Sequence, residues 1–287
     1  MSPHRRVLTV LLALLPALSA HASAPESVPF RLGDDGAVVV PVFVDGRGPL
    51  PFLLDTGASA SAVLEGLARE LALPPVARTS VVTTVGSHRC AVVRLGRVSL
   101  GAAQALNLLA SVVPASRLDL TGAAIQGILG QDFLSGFNYT LDYRRRRILW
   151  SAPGGPAPDR DEVRLTLRRS RGRFLVELPQ EGDRVVHFVP DTGANGLVVF
   201  DRPGAWALPA ESLPGRYEVS DSSGRRAVEA RRIRALRIGQ LTLRDQVAAA
   251  ISRPQSAATE GDGLLPLHFF ASVTFESREG YLVIRVR

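Results

Sequence analysis

The chain has 287 residues, 46% apolar and 21% charged, which is enough to build the core of one large domain or two small ones. Its formal charge of +7 rests on arginine alone, because the sequence contains no lysine. The arginines are scattered, or grouped in turn-like runs such as Arg144–Arg147 without interleaved aromatics, which argues against a nucleic-acid surface.

The N-terminus has the form of an export signal. His4, Arg5 and Arg6 are followed by the apolar run Val7–Leu18 and then by Ala22-Ser23-Ala24, a small-x-small cleavage pattern. The apolar run is short for a bilayer span. A signal peptide over residues 1–24 is expected, with the mature protein outside the cytoplasm, periplasmic or secreted; an uncleaved anchor is the alternative. Losing Arg5 and Arg6 lowers the formal charge from +7 to +5.

A first lobe is expected over residues 25–151. Ala37–Val44 reads as a strand and Asp45–Gly48 as a turn. The apolar run Pro51–Leu54 ends in Asp55-Thr-Gly-Ala-Ser59, a buried strand followed by a tight loop that presents Asp55. Apolar spacing over Ala62–Leu71 predicts a short helix before Pro74-Pro75. Thr79–Val85 and Cys90–Leu95 flank Gly86 and predict a hairpin. Cys90 is the single cysteine, so no intramolecular disulfide is available, and its apolar setting predicts a buried, inert thiol. Arg97–Gly101 and Ala105–Val113 read as strands, and Gly127–Leu134 as a strand and a turn of helix. Strands near Phe137–Leu141 and Arg147–Trp150 close the lobe. Asn138-Tyr-Thr140 fits a glycosylation sequon but lies on one of these strands, so it is expected to stay unused.

Residues 152–160 are rich in Pro and Gly and read as a linker. Over residues 161–287 the pattern returns. His187-Phe-Val-Pro-Asp-Thr-Gly-Ala-Asn195 repeats the first Asp-Thr-Gly stretch, and Asp191 lies 136 residues after Asp55. Gly127-Ile-Leu-Gly130 and Gly263-Leu-Leu-Pro266 share the offset of 136, as do Phe52 with Phe188 and Phe133 with Phe269. One offset kept over this length indicates two copies of one mainly β fold. Two like loops ending buried strands can meet across a pseudo-two-fold axis. Adjacent carboxyl groups then share one proton, leaving a base to activate water and an acid to polarise a carbonyl.

These residues resemble the aspartic proteases of the retropepsin and pepsin type. The resemblance rests on Asp55–Ser59, the hairpin at Gly86, Gly127–Leu134 and their second copies, and it covers nearly the whole chain after the leader. It implies an all-β, bilobal acid-protease fold of two duplicated barrel-like lobes with few short helices. It implies an aspartic endopeptidase with Asp55 and Asp191 as the catalytic pair, supported by Thr56, Gly57, Thr192 and Gly193, with no cofactor and no metal. The implied partner is an extended peptide or protein. With both acids in one chain, the expected state is a monomer. By the same resemblance Val85 and Gly86 belong to a flap over the substrate, with a degenerate counterpart at Ser220–Gly224. The plainer reading is two surface hairpins. Ser59 and Asn195 either reach the substrate backbone or make local loop bonds. Ala58 and Ala194 stand where pepsin-like enzymes carry a hydroxyl, which points to the retropepsin side and to activity at milder pH. Pro190 and Pro266 depart from the first lobe beside Asp191 and lack a donor. They keep open a rival reading, a non-catalytic peptide-binding protein on a protease-like scaffold.

Overall fold

The structure, a computed structural model, describes residues 27–34, 36–117, 124–151, 162–201, 208–221, 223–252 and 261–286. The leader expected over residues 1–24 and the linker expected over 152–160 lie outside the described residues. Alternation along the strands decides which face is buried. In Arg47–Leu54, Phe52 and Leu54 are fully buried while Leu53 points to the opposite face.

The first lobe is a sheet of eight strands. Their order is Arg31–Leu32, Val38–Val44, Arg47–Leu54, Gly127–Leu129, Ala62–Leu64, Ala103–Val113, Ser87–Leu100 and Pro75–Val82. The second lobe repeats the order from the second strand onward: Arg173–Pro179, Val185–Asp191, Gly263–Pro266, Leu197–Asp201, Leu241–Ser252, Gly224–Ile238 and Ala210–Asp221. The all-β class and the duplication read from the sequence both hold.

Two expectations about local structure are corrected. The helix expected over Ala62–Leu71 is a strand, Ala62–Leu64, followed by a single helical stretch, Glu65–Glu70. The strand wins because Ala62–Leu64 pairs in parallel with Ser111–Val113, and Ala62 and Val63 pair on the other side with Ile128 and Gly127. Two strands expected at Cys90–Leu95 and Arg97–Gly101 are one, Ser87–Leu100. Cys90 is buried on it, as its apolar setting predicts.

The closing strands do not stay in their own lobes. Ser27–Pro29, Arg147–Ser151, Asn138–Asp142, Ser272–Glu276, Tyr281–Arg285 and the start of Glu162–Ser170 pair in that order into one antiparallel sheet beneath both lobes. Its middle pair joins the two halves, with Thr140 opposite Thr274 and their hydroxyls 2.8 Å apart. Tyr139 stacks on Phe275 with ring centroids 4.9 Å apart, so one apolar core runs through both lobes. Asn138 is buried there and donates from Nδ2 to Glu279 at 2.7 Å, which removes the sequon from the surface.

Candidate active site

Two parallel ladders deliver the acids. Strand Arg47–Leu54 pairs with Gly127–Leu129, setting Phe52 opposite Gly127. Val185–Asp191 pairs with Gly263–Pro266, setting Phe188 opposite Gly263. Both glycines are required by close approach. A Cβ on Gly127 would stand 2.5 Å from the Ala62 carbonyl oxygen, and one on Gly263 would collide with the Val198 carbonyl.

Beyond these ladders the loops interlock. The Thr56 amide donates to Thr192 Oγ1 at 3.0 Å, and the Thr192 amide donates to Thr56 Oγ1 at 3.0 Å. Each hydroxyl passes its own proton across the axis: Thr56 Oγ1 to the Pro190 carbonyl at 2.7 Å, and Thr192 Oγ1 to the Leu54 carbonyl at 2.5 Å. These four bonds explain why Pro190 is tolerated. The interlock uses the carbonyl of the residue before each Asp, and proline keeps its carbonyl. Gly57 and Gly193 each face the other lobe's acid. A Cβ on Gly57 would lie 2.5 Å from Asp191 Cγ, and one on Gly193 3.2 Å from Asp55 Cγ.

Between the loops the two carboxyl groups face one another, since a single point, where a Cβ on Gly193 would stand, lies 3.3 Å from both Asp55 Oδ1 and Asp191 Oδ1. Their surroundings differ. Asp55 Oδ1 accepts from the Gly57 amide at 2.8 Å and from the Ala58 amide at 2.9 Å. Asp191 Oδ1 accepts from the Gly193 amide at 2.7 Å. Burial raises the proton affinity of both groups, and for Asp55 the two amides pull against it. Asp191 is pushed up to about 8, by burial first and then by the charge of Asp55. The positive charge of Arg173 pulls both groups down. Two carboxyl groups this close resist ionising together, so the pair retains a shared proton to higher pH than an isolated carboxyl would.

Behind the loops the two lobes are supported differently. In the first, Ser61 donates from its amide and its hydroxyl to Asp132 at 2.9 and 2.7 Å, and its oxygen accepts from the Gly130 amide at 3.0 Å. Gln131 Nε2 donates to the Thr56 carbonyl at 3.0 Å. In the second lobe the residues 136 further on are Leu197, His268, Pro266 and Leu267. Apolar residues stand at all of these positions but His268, so an amide at Pro266 would find no hydroxyl at Leu197.

The hairpin around Gly86 joins Pro75–Val82 to Ser87–Leu100. Its counterpart joins Ala210–Asp221 to Gly224–Ile238, strands of 12 and 15 residues. The tips meet. Asp221 accepts from the Val85 amide at 2.7 Å and from the Thr83 hydroxyl at 3.0 Å. His88 Nδ1 lies 3.0 Å from Ser223 Oγ, and Gly86 turns back on Thr83, whose oxygen accepts its amide at 3.2 Å. Among the described residues, the side chains of Ser59 and Asn195 have no hydrogen-bond partner, so neither makes the local loop bond.

Sequence reasoning passed over Asp221, Arg173 and the Ser61–Asp132 pair. A signal for Asp221 was present. Residues on a two-fold axis meet their own repeats, and Asp221 lies 136 residues after Val85, as Thr192 does after Thr56.

Comparisons with known proteins bear on the family and the fold. Residues 40–136 match the family described as gag-polyprotein putative aspartyl protease, and residues 176–269 match the family described as aspartyl protease. No curated protein matches the chain. Among solved structures, a retropepsin-like aspartic protease from Rickettsia conorii is 20% identical, covers 44% of this chain and 90% of its own, and superposes with a TM-score of 0.32. Conglutin gamma, a unique basic 7S globulin from lupine seeds, is 12% identical over 92% of this chain and 95% of its own, with a TM-score of 0.51. Basic 7S globulin from soybean is 10% identical over 90% and 94%, with a TM-score of 0.50. The two globulins share the fold across both lobes.

Proposed function

We propose that this chain, a two-lobed protein of the retropepsin-like aspartyl protease family, is an endopeptidase that hydrolyses peptide bonds with water activated between Asp55 and Asp191. The observation that carries the reading is the pair of facing carboxyl groups on loops locked together by Thr56 and Thr192. Ionised Asp55 takes a proton from the attacking water. Protonated Asp191 gives its proton to the scissile carbonyl oxygen, and a tetrahedral diol forms. Collapse returns a proton to the departing nitrogen and breaks the carbon–nitrogen bond. No covalent enzyme intermediate is involved.

The substrate is an extended peptide, bound in strand-like fashion between the loops and the two hairpins. Val85 and Gly86 then act on it as a flap: the Val85 amide, now on Asp221, exchanges that acceptor for a substrate carbonyl when the tips part. Ser59 and Asn195, whose side chains are unspent, supply further polar contacts. Both halves of the site come from one chain, so activity follows from a monomer. The leader pattern at residues 1–24 supports export, to the periplasm or by secretion.

A second reading, a peptide-binding protein without catalysis, draws on the two globulins, whose names are those of seed globulins rather than proteases. One experiment separates the two. Purified protein lacking residues 1–24 is incubated with a peptide library across a pH series, with and without a pepstatin-type inhibitor, beside Asp55→Asn and Asp191→Asn. Cleavage that the inhibitor blocks and each variant abolishes supports the endopeptidase. Binding without cleavage at any pH, unchanged in the variants, supports the binder.

A further inference from the structure

Arg173 opens the strand Arg173–Pro179, directly after a tight turn in which Arg171 and Gly172 have φ of 45° and 79°. The turn belongs to the second lobe but leans on the first. Arg169 donates to Ser135 Oγ at 2.6 Å, and a Cβ on Gly172 would stand 3.3 Å from the Cβ of Ser59. Ser59 ends the loop that carries Asp55. Two contacts just ahead of Arg173 therefore fix it beside the first catalytic loop.

The side chain is half-buried and underused. Among the described residues it forms no ion pair, and its Nε is buried without a hydrogen-bond partner. Its charge reaches Asp55 and Asp191, yet those carboxyls are engaged with each other and with loop amides. A half-buried guanidinium with free donors is a strong receptor for a carboxylate, which it can grip with two parallel bonds. The repeat shows that this feature is one-sided. The position 136 residues earlier is Ala37, so the first lobe offers no matching cation there. A cleft made by two identical chains would carry two such arginines, whereas this one carries a single one and so distinguishes its ends.

We propose that Arg173 is a specificity-determining residue that selects substrates with an aspartate or glutamate at the cleft position beside the Asp55 loop. The inference rests on the peptide-binding cleft of the proposed function, but not on catalysis. Its test uses pairs of acetylated octapeptides that differ only in Asp against Asn, or Glu against Gln, at each position around a bond. Binding is measured on full-length Asp191→Asn, alone and combined with Arg173→Met, and kcat/KM is measured on the corresponding chains that retain Asp191. At one position the acid is expected to be preferred by about 10- to 100-fold. Arg173→Met is expected to bring that ratio near one, and Arg173→Lys to keep part of it. If Arg173→Met does not fold, Arg173→Gln serves in its place. The proposal is overturned if no position prefers an acid, if the preference survives removal of the guanidinium, or if neither peptide set binds. If nothing is cleaved, the endopeptidase reading fails on its own, and the binding ratio still decides for Arg173.

Discussion

Replacing Gly57 with alanine tests the cross-lobe geometry most directly. The added Cβ would lie 2.5 Å from Asp191 Cγ and Oδ2 and 2.7 Å from Oδ1. Carbon atoms in contact sit about 3.5–4.0 Å apart, so the overlap is roughly 1 Å. Asp191 cannot yield cheaply. It is 7% exposed, and the Gly193 amide holds its Oδ1 at 2.7 Å. The other side is no freer, because the neighbouring Thr56 is bonded across the axis through both its amide and its hydroxyl. One acid must therefore shift by about 1 Å relative to the other, an error that costs on the order of 100-fold in rate. Overpacking adds about 1–3 kcal/mol of destabilisation. Gly193→Ala is the control from the same motif. There the nearest atom is Asp55 Cγ at 3.2 Å, the residue is exposed, and a shift of a few tenths of an ångström suffices. Its loss is expected to stay below about tenfold. Initial rates on a fluorogenic peptide, with melting temperatures alongside, distinguish the two. Equal losses, or a wild-type rate in Gly57→Ala, would refute the geometry.

Three further outcomes are expected. Asp191 binds its proton more tightly folded than unfolded, with its folded pKa near 8 against an ordinary 3.8. The stability it contributes is thus full below about pH 4 and is lost as pH rises through 8. Asn keeps a neutral donor there, so denaturant titrations should show Asp191→Asn gaining on the wild type by a few kcal/mol between those limits; a gap independent of pH would contradict the assignment. Thr192→Val leaves the buried Thr56 amide and Leu54 carbonyl without their partners. It should cost about 2–5 kcal/mol in unfolding free energy, with Thr192→Ser recovering most of it. Asp221→Ala removes the acceptor of the Val85 amide, whose hydrogen exchange should quicken at least about tenfold while the Thr56 amide stays protected; unchanged exchange at Val85 would mean that the tips do not hold each other.

What the sequence disclosed follows from how tightly each residue is constrained. Asp55, Gly57, Gly127 and their repeats stand where an added or lost atom meets backbone or a buried carboxyl, so the pattern survives in both copies and marks the site. Pro190 misled for the opposite reason. Its missing amide looked costly, yet only its carbonyl enters the interlock. The polar support around Ser61 was invisible because it is a matter of partners, and Ser61 and Asp132 are 71 residues apart. Helical spacing over Ala62–Leu71 was genuine for Leu67 and Ala68, which are buried, but the sheet claimed the first three residues. The shared lower sheet was out of reach. Alternation in Asn138–Asp142 announces a strand without saying that its partner lies 134 residues away at Thr274.

That lower sheet bears on what the covalent link between the halves does. The ladder pairing Asn138–Asp142 with Ser272–Glu276, the stacked Tyr139 and Phe275, and the Thr56–Thr192 interlock all cross between halves without using the chain from Ser151 to Glu162. A nick in that stretch would leave two fragments that still share one core and one site. The protein is thus suited to fragment complementation, with the linker raising the local concentration of halves that already recognise each other. The two halves need not match at every support position: Leu197, Pro266 and Arg173 stand where the first half has Ser61, Gly130 and Ala37.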